Sequence, residues 1–196
     1  MKTSNIILII IFAVIGLGGC SVVGSYNTMV NKNEDVKAAW SQVENVYQRR
    51  SDLIPNLVEI VKGYATHEKS TLTAVIEARS KATAITIDPS KATPAQLKAF
   101  TSAQGELSSA LGKLMMVKEA YPELKANENF MELQSQLEGT ENRIAVERRK
   151  FNQSAQGYNT YIRRFPNNIV SNMFGFTERA YFEADANAKT APKIKF

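Results

Sequence analysis

From Val36 onward, apolar or bulky residues recur at steps of three and four: Val36, Trp40, Val43, Tyr47, Arg50, Ile54, Leu57, Val61, Tyr64, Glu68, Leu72, Val75 and Arg79. That period places them on one face of a helix, and no strand-like alternation competes with it. The run reads as one long helix or as two nearly collinear ones, with Arg50, Glu68 and Arg79 interrupting an otherwise apolar seam. Pro55 lies inside the stripe. It removes a backbone donor and crowds the carbonyl four residues earlier, at a cost of about 3 kcal/mol in a straight helix. A kink or a restart near Leu53 is predicted, with Asp52 placed to cap the freed backbone groups of a second helix.

The clearest loop is Thr86-Ile87-Asp88-Pro89-Ser90, and Thr93-Pro94 then supplies an N-cap followed by proline at the first helical position. Leu97, Phe100, Gln104, Leu107, Leu111 and Leu114 continue the helical spacing until Tyr121-Pro122 breaks it. After the polar Asn127-Glu128-Asn129, the stripe resumes at Phe130, Leu133, Leu137, Thr140, Ile144, Arg148, Phe151, Ala155, Tyr158, Ile162 and Phe165. Phe165-Pro166-Asn167-Asn168 ends this last long helix. Ile169, Val170, Met173 and Phe174 then predict a short amphipathic helix closed by Gly175.

Long amphipathic helices with short connections favour antiparallel neighbours that hide their stripes from water. The expected fold is therefore all-α: an elongated antiparallel bundle of long helices, one kinked near Pro55, over residues 25–184, followed by a flexible tail at 185–196. No fixed period marks a helical-repeat solenoid.

Ahead of the bundle, Lys2 precedes an uncharged run from Thr3 to Val30 that is strongly apolar between Ile6 and Ile15 and leads to Leu17-Gly18-Gly19-Cys20. This is the layout of an export signal, and the Leu-Gly-Gly-Cys end resembles the lipobox of bacterial lipoproteins, in which the cysteine is acylated. Cys20 is the only cysteine in the chain. The competing reading is an uncleaved helix: Ile6 to Val23 spans about 27 Å at 1.5 Å per residue, close to the hydrocarbon thickness of a bilayer. Residues 1–24 are accordingly assigned to a signal and lipid-attachment segment or to a transmembrane anchor. Both end at a membrane, with the body expected outside the cytoplasm in the bacterial cell envelope.

The chain is 44% hydrophobic and 22% charged, with ten glycines and six prolines, which excludes disorder and turn-rich β architecture. His67 is the single histidine, and with no second imidazole or free thiol beside it a zinc site is not expected. Acidic neighbours such as Glu34-Asp35 suit a solvated helix face. No serine sits in a nucleophile turn, and no glycine loop is built for phosphate, so neither an enzyme nor a bound cofactor is expected. The basic excess lies wholly beyond residue 142, where Arg148-Arg149 and Arg163-Arg164 contribute most. These pairs suit lipid headgroups, an acidic partner or a phosphate-bearing glycan, or else they cover apolar neighbours and bond acidic side chains. Export disfavours nucleic acid as a partner.

Trp40-Ser41-Gln42-Val43, Gln48 through Val58 with its Arg49-Arg50-Ser51-Asp52-Leu53-Ile54-Pro55-Asn56 core, Val61-Lys62-Gly63-Tyr64 and His67-Glu68 together resemble the LemA family. Tyr26-Asn27, Ile144-Ala145-Val146 with Arg148-Arg149, Tyr158-Asn159, Arg164-Phe165-Pro166-Asn167-Asn168, Phe174-Gly175-Phe176 and Tyr181-Phe182 extend the likeness in order along the chain. The resemblance implies an N-terminal membrane segment followed by long antiparallel helices, and it supplies no catalytic residues. Glu147 departs from the small residue expected before the arginine pair.

These readings converge on a membrane-tethered scaffold or adaptor for another envelope protein, presenting a polar stripe of Arg49, Arg50, Asp52, Asn56 and His67. A homo-oligomer is compatible with such a bundle. The same polar residues have a competing role, satisfying backbone groups near Pro55 and bonding across to the last helix. A second functional reading is binding of anionic lipid or an envelope polymer through Arg148, Arg149, Arg163 and Arg164.

Overall fold

The computed structural model describes the backbone of residues 3–183; side chains are described from residue 19 onward and, before that, at Asn5, Phe12 and Gly16. Helix α1 covers Thr3–Tyr64, α2 Lys69–Ala84, α3 Pro94–Met116, α4 Pro122–Lys125, α5 Glu128–Arg163 and α6 Asn167–Phe174. A 3₁₀ turn at Val117–Glu119 links α3 to α4, and no strand occurs among the described residues. Helices α1 and α5 form one closely packed pair, and α2 and α3 form another. The all-helical expectation holds. The predicted tail at 185–196 lies outside the described residues.

The continuous stripe misled in one respect: α1 and α2 are not collinear. The chain reverses at Ala65–Glu68, so that Arg79 of α2 lies opposite Ser51 of α1 and donates from Nε to its carbonyl at 3.0 Å. Leu72, Val75, Ala78 and Ala82 thereby meet Ile54, Leu57, Val58 and Val61 in one apolar cluster. A four-residue turn preserves the three-four count, and α2 begins without a side-chain cap. Periodicity alone therefore passes straight through the reversal.

Nor does α1 restart at Leu53. It runs unbroken through Pro55, and the Asp52 carboxylate accepts from Gln48 Nε2 at 2.7 Å along the helix surface instead of capping a new one. Proline at position 55 cannot donate to the carbonyl of Ser51. Arg79 takes the vacant place, and Ser51 is only 3% exposed, so the missing helical bond becomes a tie between α1 and α2.

Elsewhere the predicted cap at Thr93 and the predicted closure at Gly175 both form. Thr93 and Gln96 form a reciprocal capping box at the start of α3, with Thr93 Oγ1 accepting from Gln96 N at 3.2 Å and Gln96 Oε1 accepting from Thr93 N at 2.9 Å. Asn127 caps α5 by accepting from Phe130 N at 2.9 Å. Gly175 closes α6 at φ 74°, a left-handed conformation in which a side chain is strained.

The core has two apolar bodies. One lies between α1, α2, α3 and the first half of α5. The other is aromatic and centres on Trp40, whose ring lies 5.3–5.8 Å from those of Phe100, Phe151 and Phe182. Phe182 reaches it from an extended segment, residues 176–183, which lies along α5 after α6. Among the described residues no helix is long and apolar enough to cross a membrane. The side chains of the expected anchor core, Ile6 to Ile15, fall almost entirely outside the description, whereas Cys20 is described, free and exposed.

Candidate functional site

Arg50 sits between the two apolar bodies and is 1% exposed, as its place on the apolar seam of α1 requires, and so does not belong to the exposed polar stripe. A helical seam position turns it inward, and its length lets the guanidinium cross the bundle. It donates to Ser108 Oγ at 2.8 Å and Gln104 Oε1 at 2.6 Å on α3, and it is ion-paired with Glu141 on α5. The Tyr47 ring lies 5.2 Å from the guanidinium carbon. One side chain thus ties α1, α3 and α5 together. A buried cation needs this degree of compensation, because its desolvation costs several kcal/mol.

Over this layer lies an open cleft of about 1110 Å³ that follows α3. Arg50 and Glu141 are in its lining together with Glu77 and Lys81 of α2, Lys98 of α3 and Arg148 of α5, and hydroxyls such as Ser102 and Ser109 lie between the charges. Both signs of charge occur within reach of one bound chain. Among the described residues no three His, Cys, Asp or Glu side chains group as metal ligands. Among the described residues two ionisable groups are clearly shifted: a hydrogen bond and the charge of Lys125 hold Glu119 below the usual carboxylate range, and burial pushes the Tyr158 hydroxyl up against the opposing charge of Arg179. Neither is in the cleft lining.

The remaining stripe residues are exposed. Arg49, Asp52 and Asn56 follow at three- and four-residue steps on α1 and share a face, while His67 stands apart in the α1–α2 turn. The arginine pairs separate. Arg148 is half-buried, lies 4.7 Å over the Phe182 ring and donates to the Glu183 carbonyl at 3.3 Å, with Arg149 exposed beside it. Arg163 and Arg164 are exposed about 22 Å further along α5, at 1.5 Å per residue. The four do not form one basic patch. Glu147, just before the first pair, is 7% exposed and accepts from Lys150 at 3.0 Å.

Sequence reasoning quoted Asn159 only within the family-like Tyr158-Asn159 pair and assigned no residue to holding the C-terminal segment. Asn159 is fully buried and grips Arg179 twice, Nδ2 donating to its carbonyl and Oδ1 accepting from its amide, both at 2.8 Å. Asn152, two helical turns earlier, grips Phe182 in the same way, again at 2.8 Å for both bonds. The Arg179 guanidinium lies 4.7 Å over the Tyr158 ring and donates to Asn33 Oδ1 at 2.8 Å. The readable signal was the pair of asparagines seven residues apart on the inward face of α5. Of the aromatic residues near the C-terminus, Phe182 is core, whereas Phe174 and Tyr181 remain 51% and 39% exposed.

A family model described as LemA family matches residues 39–196. Magnetosome protein MamQ 1 of Paramagnetospirillum magneticum is 30% identical over 179 residues, covering 81% of this chain and 64% of its own length. Magnetosome protein MamQ of Magnetospirillum gryphiswaldense is 30% identical over 178 residues, with 80% and 64% covered. Protein LemA of Metamycoplasma hominis is 26% identical over 162 residues, with 83% and 70% covered. The chain thus spans a little under two thirds of the length of the MamQ proteins it matches.

Proposed function

Since the chain belongs to the LemA family, we propose that it is a membrane-tethered, non-catalytic scaffold of the bacterial envelope, whose helical bundle receives a segment of another envelope protein in the cleft along α3. The cleft above the Arg50 layer carries this reading. Its about 1110 Å³ suits an extended peptide or a helix face, and its lining alternates Lys and Glu side chains with hydroxyls. The buried Arg50 network supports a preformed receptor, because it fixes three of the helices around the cleft without using the lining charges of α2. The exposed Arg49, Asp52 and Asn56 row, on the side of α1 turned away from the cleft, offers a separate contact face.

The tether is the apolar N-terminal segment, with Cys20 as the lipid attachment point and the body outside the cytoplasmic membrane. Replacing Cys20 with serine abolishes acyl labelling and processing if this is so; an unchanged membrane-bound chain indicates a retained helix instead. The scaffold role is tested by photocrosslinking in cells from Ser102, Ser109 and Asn56, with Ser135 on another exposed face as control. A discrete heterologous adduct from the cleft positions, absent from Ser135, is expected. Recovery of self-adducts alone refutes it.

A further inference from the structure

Helix α6 exposes more apolar surface than the bundle uses. Val170 and Ser171 face inward, and Ser171 Oγ donates to the Ile162 carbonyl at 3.1 Å. Ile169, Met173 and Phe174 stay 57%, 63% and 51% exposed, and Phe165 just before the helix is 81% exposed. Ile169 and Met173 are one turn apart on the same side. Four large apolar side chains so close together are costly to leave in water unless something covers them.

The position of α6 identifies the cover. Asn167 accepts from Ser25 Oγ at 3.0 Å, and the Phe174 ring lies 4.9 Å from that of Tyr26, so α6 is docked on α1 at residues 25 and 26. Packing of α1 against the rest of the bundle begins at Val22 among the described residues. This is the end from which the apolar leader departs, and Cys20 is only about 8 Å below Ser25 along the helix axis. Arg163 meets Glu178 only at 3.8 Å, and Arg164 has no ion pair among the described residues. Apolar side chains flanked by exposed arginines fit the boundary between acyl chains and anionic headgroups.

We propose that α6 is a second membrane contact, in which Phe165, Ile169, Met173 and Phe174 enter the lipid interface while Arg163 and Arg164 meet lipid phosphates. The proposal rests on the N-terminal tether. With the tether it makes two contacts side by side, which fix the tilt of the bundle and the direction in which the cleft faces. A single flexible attachment would leave both free.

The test uses the full chain reconstituted in phosphatidylglycerol and phosphatidylcholine vesicles whose acyl chains are brominated close to the glycerol. Ile169→Trp places an indole on the exposed face without touching the core, and Val146→Trp, 42% exposed and about 25 Å away along α5, is the control. The native Trp40 is 2% exposed and contributes the same background to both. Several-fold stronger quenching and a blue shift at position 169 relative to 146 are expected. Vesicle flotation after a carbonate wash reads the tether separately. A chain that floats with equal quenching at both positions overturns the α6 contact and leaves the tether standing, and crosslinking of Ile169→Cys between two copies in that case assigns the face to self-association. A chain that does not float overturns the tether and this proposal with it.

Discussion

Replacing Arg79 tests whether Pro55 is tolerated because another helix completes its bonding. Arg79→Met keeps most of the stem packing but removes the donor at 3.0 Å from the Ser51 carbonyl. A hydrogen bond from a charged group contributes about 1.5–3 kcal/mol, and because Arg79 is only half-buried the lower end applies, about 1.5–2 kcal/mol. In a Pro55→Ala background the amide at position 55 donates to Ser51 from within α1. There Arg79→Met costs only about 0.5 kcal/mol, for lost packing. The coupling is therefore about 1–1.5 kcal/mol. Urea unfolding followed by far-UV circular dichroism, on a chain beginning at Ser21, measures all four corners of the cycle, with constant slope as the control for compactness. In the Pro55 background the midpoint of thermal unfolding falls by about 3–8 °C, at about 2–4 °C per kcal/mol for a domain of this size. An Arg79→Met cost equal in both backgrounds to within about 0.5 kcal/mol refutes the reasoning and leaves Arg79 a packing residue.

The Arg50–Glu141 pair is asymmetric, with Arg50 1% exposed and the Glu141 side chain 43% exposed. Glu141→Ala strands a buried cation and costs about 3 kcal/mol in the same unfolding assay, whereas Arg50→Met lets Glu141 rehydrate and costs about 1–2 kcal/mol; the reverse order contradicts the assignment. Asn159→Ala removes both grips on Arg179 from a fully buried site, so a loss of about 2–3 kcal/mol and rapid amide exchange across 176–183 are expected, with unchanged exchange as the opposing result. Burial raises the Tyr158 hydroxyl above its ordinary value near about 10, so the unfolded chain gives up that proton first and stability falls as pH rises through that value. Tyr158→Phe flattens this alkaline loss relative to the parent chain, and parallel pH profiles for the two count against the shift.

The stripes of α3, α5 and α6, the cap at Thr93 and the closure at Gly175 were legible because each rests on local chemistry: a three-four spacing, Thr93 before Pro94, or a residue without Cβ where φ must be positive. Burial of Trp40 was legible too, since one large aromatic on an apolar stripe has few other destinations. The likeness to the LemA family was readable from ordered short motifs and is upheld over residues 39–196. The candidate site was less legible. Arg49, Arg50, Asp52 and Asn56 are sequence neighbours, yet helical geometry sends Arg50 into the core and leaves the others in water.

What the sequence determined by itself is a chain of amphipathic helices behind an apolar N-terminal run, because helix periodicity, capping and hydropathy are written within a few residues of one another. Tertiary structure decided the reversal between α1 and α2, the gathering of Ser108, Gln104 and Glu141 around Arg50, and the grip of Asn152 and Asn159 on the C-terminal segment. It also separated two arginine pairs that look alike in sequence and set α6 beside Ser25. The physical reason is common to all of these. A stripe shows that a face must be buried but not against what, and a polar side chain that leaves water takes whichever partner the fold delivers, here Arg79 for a carbonyl that Pro55, 24 residues earlier, had left open.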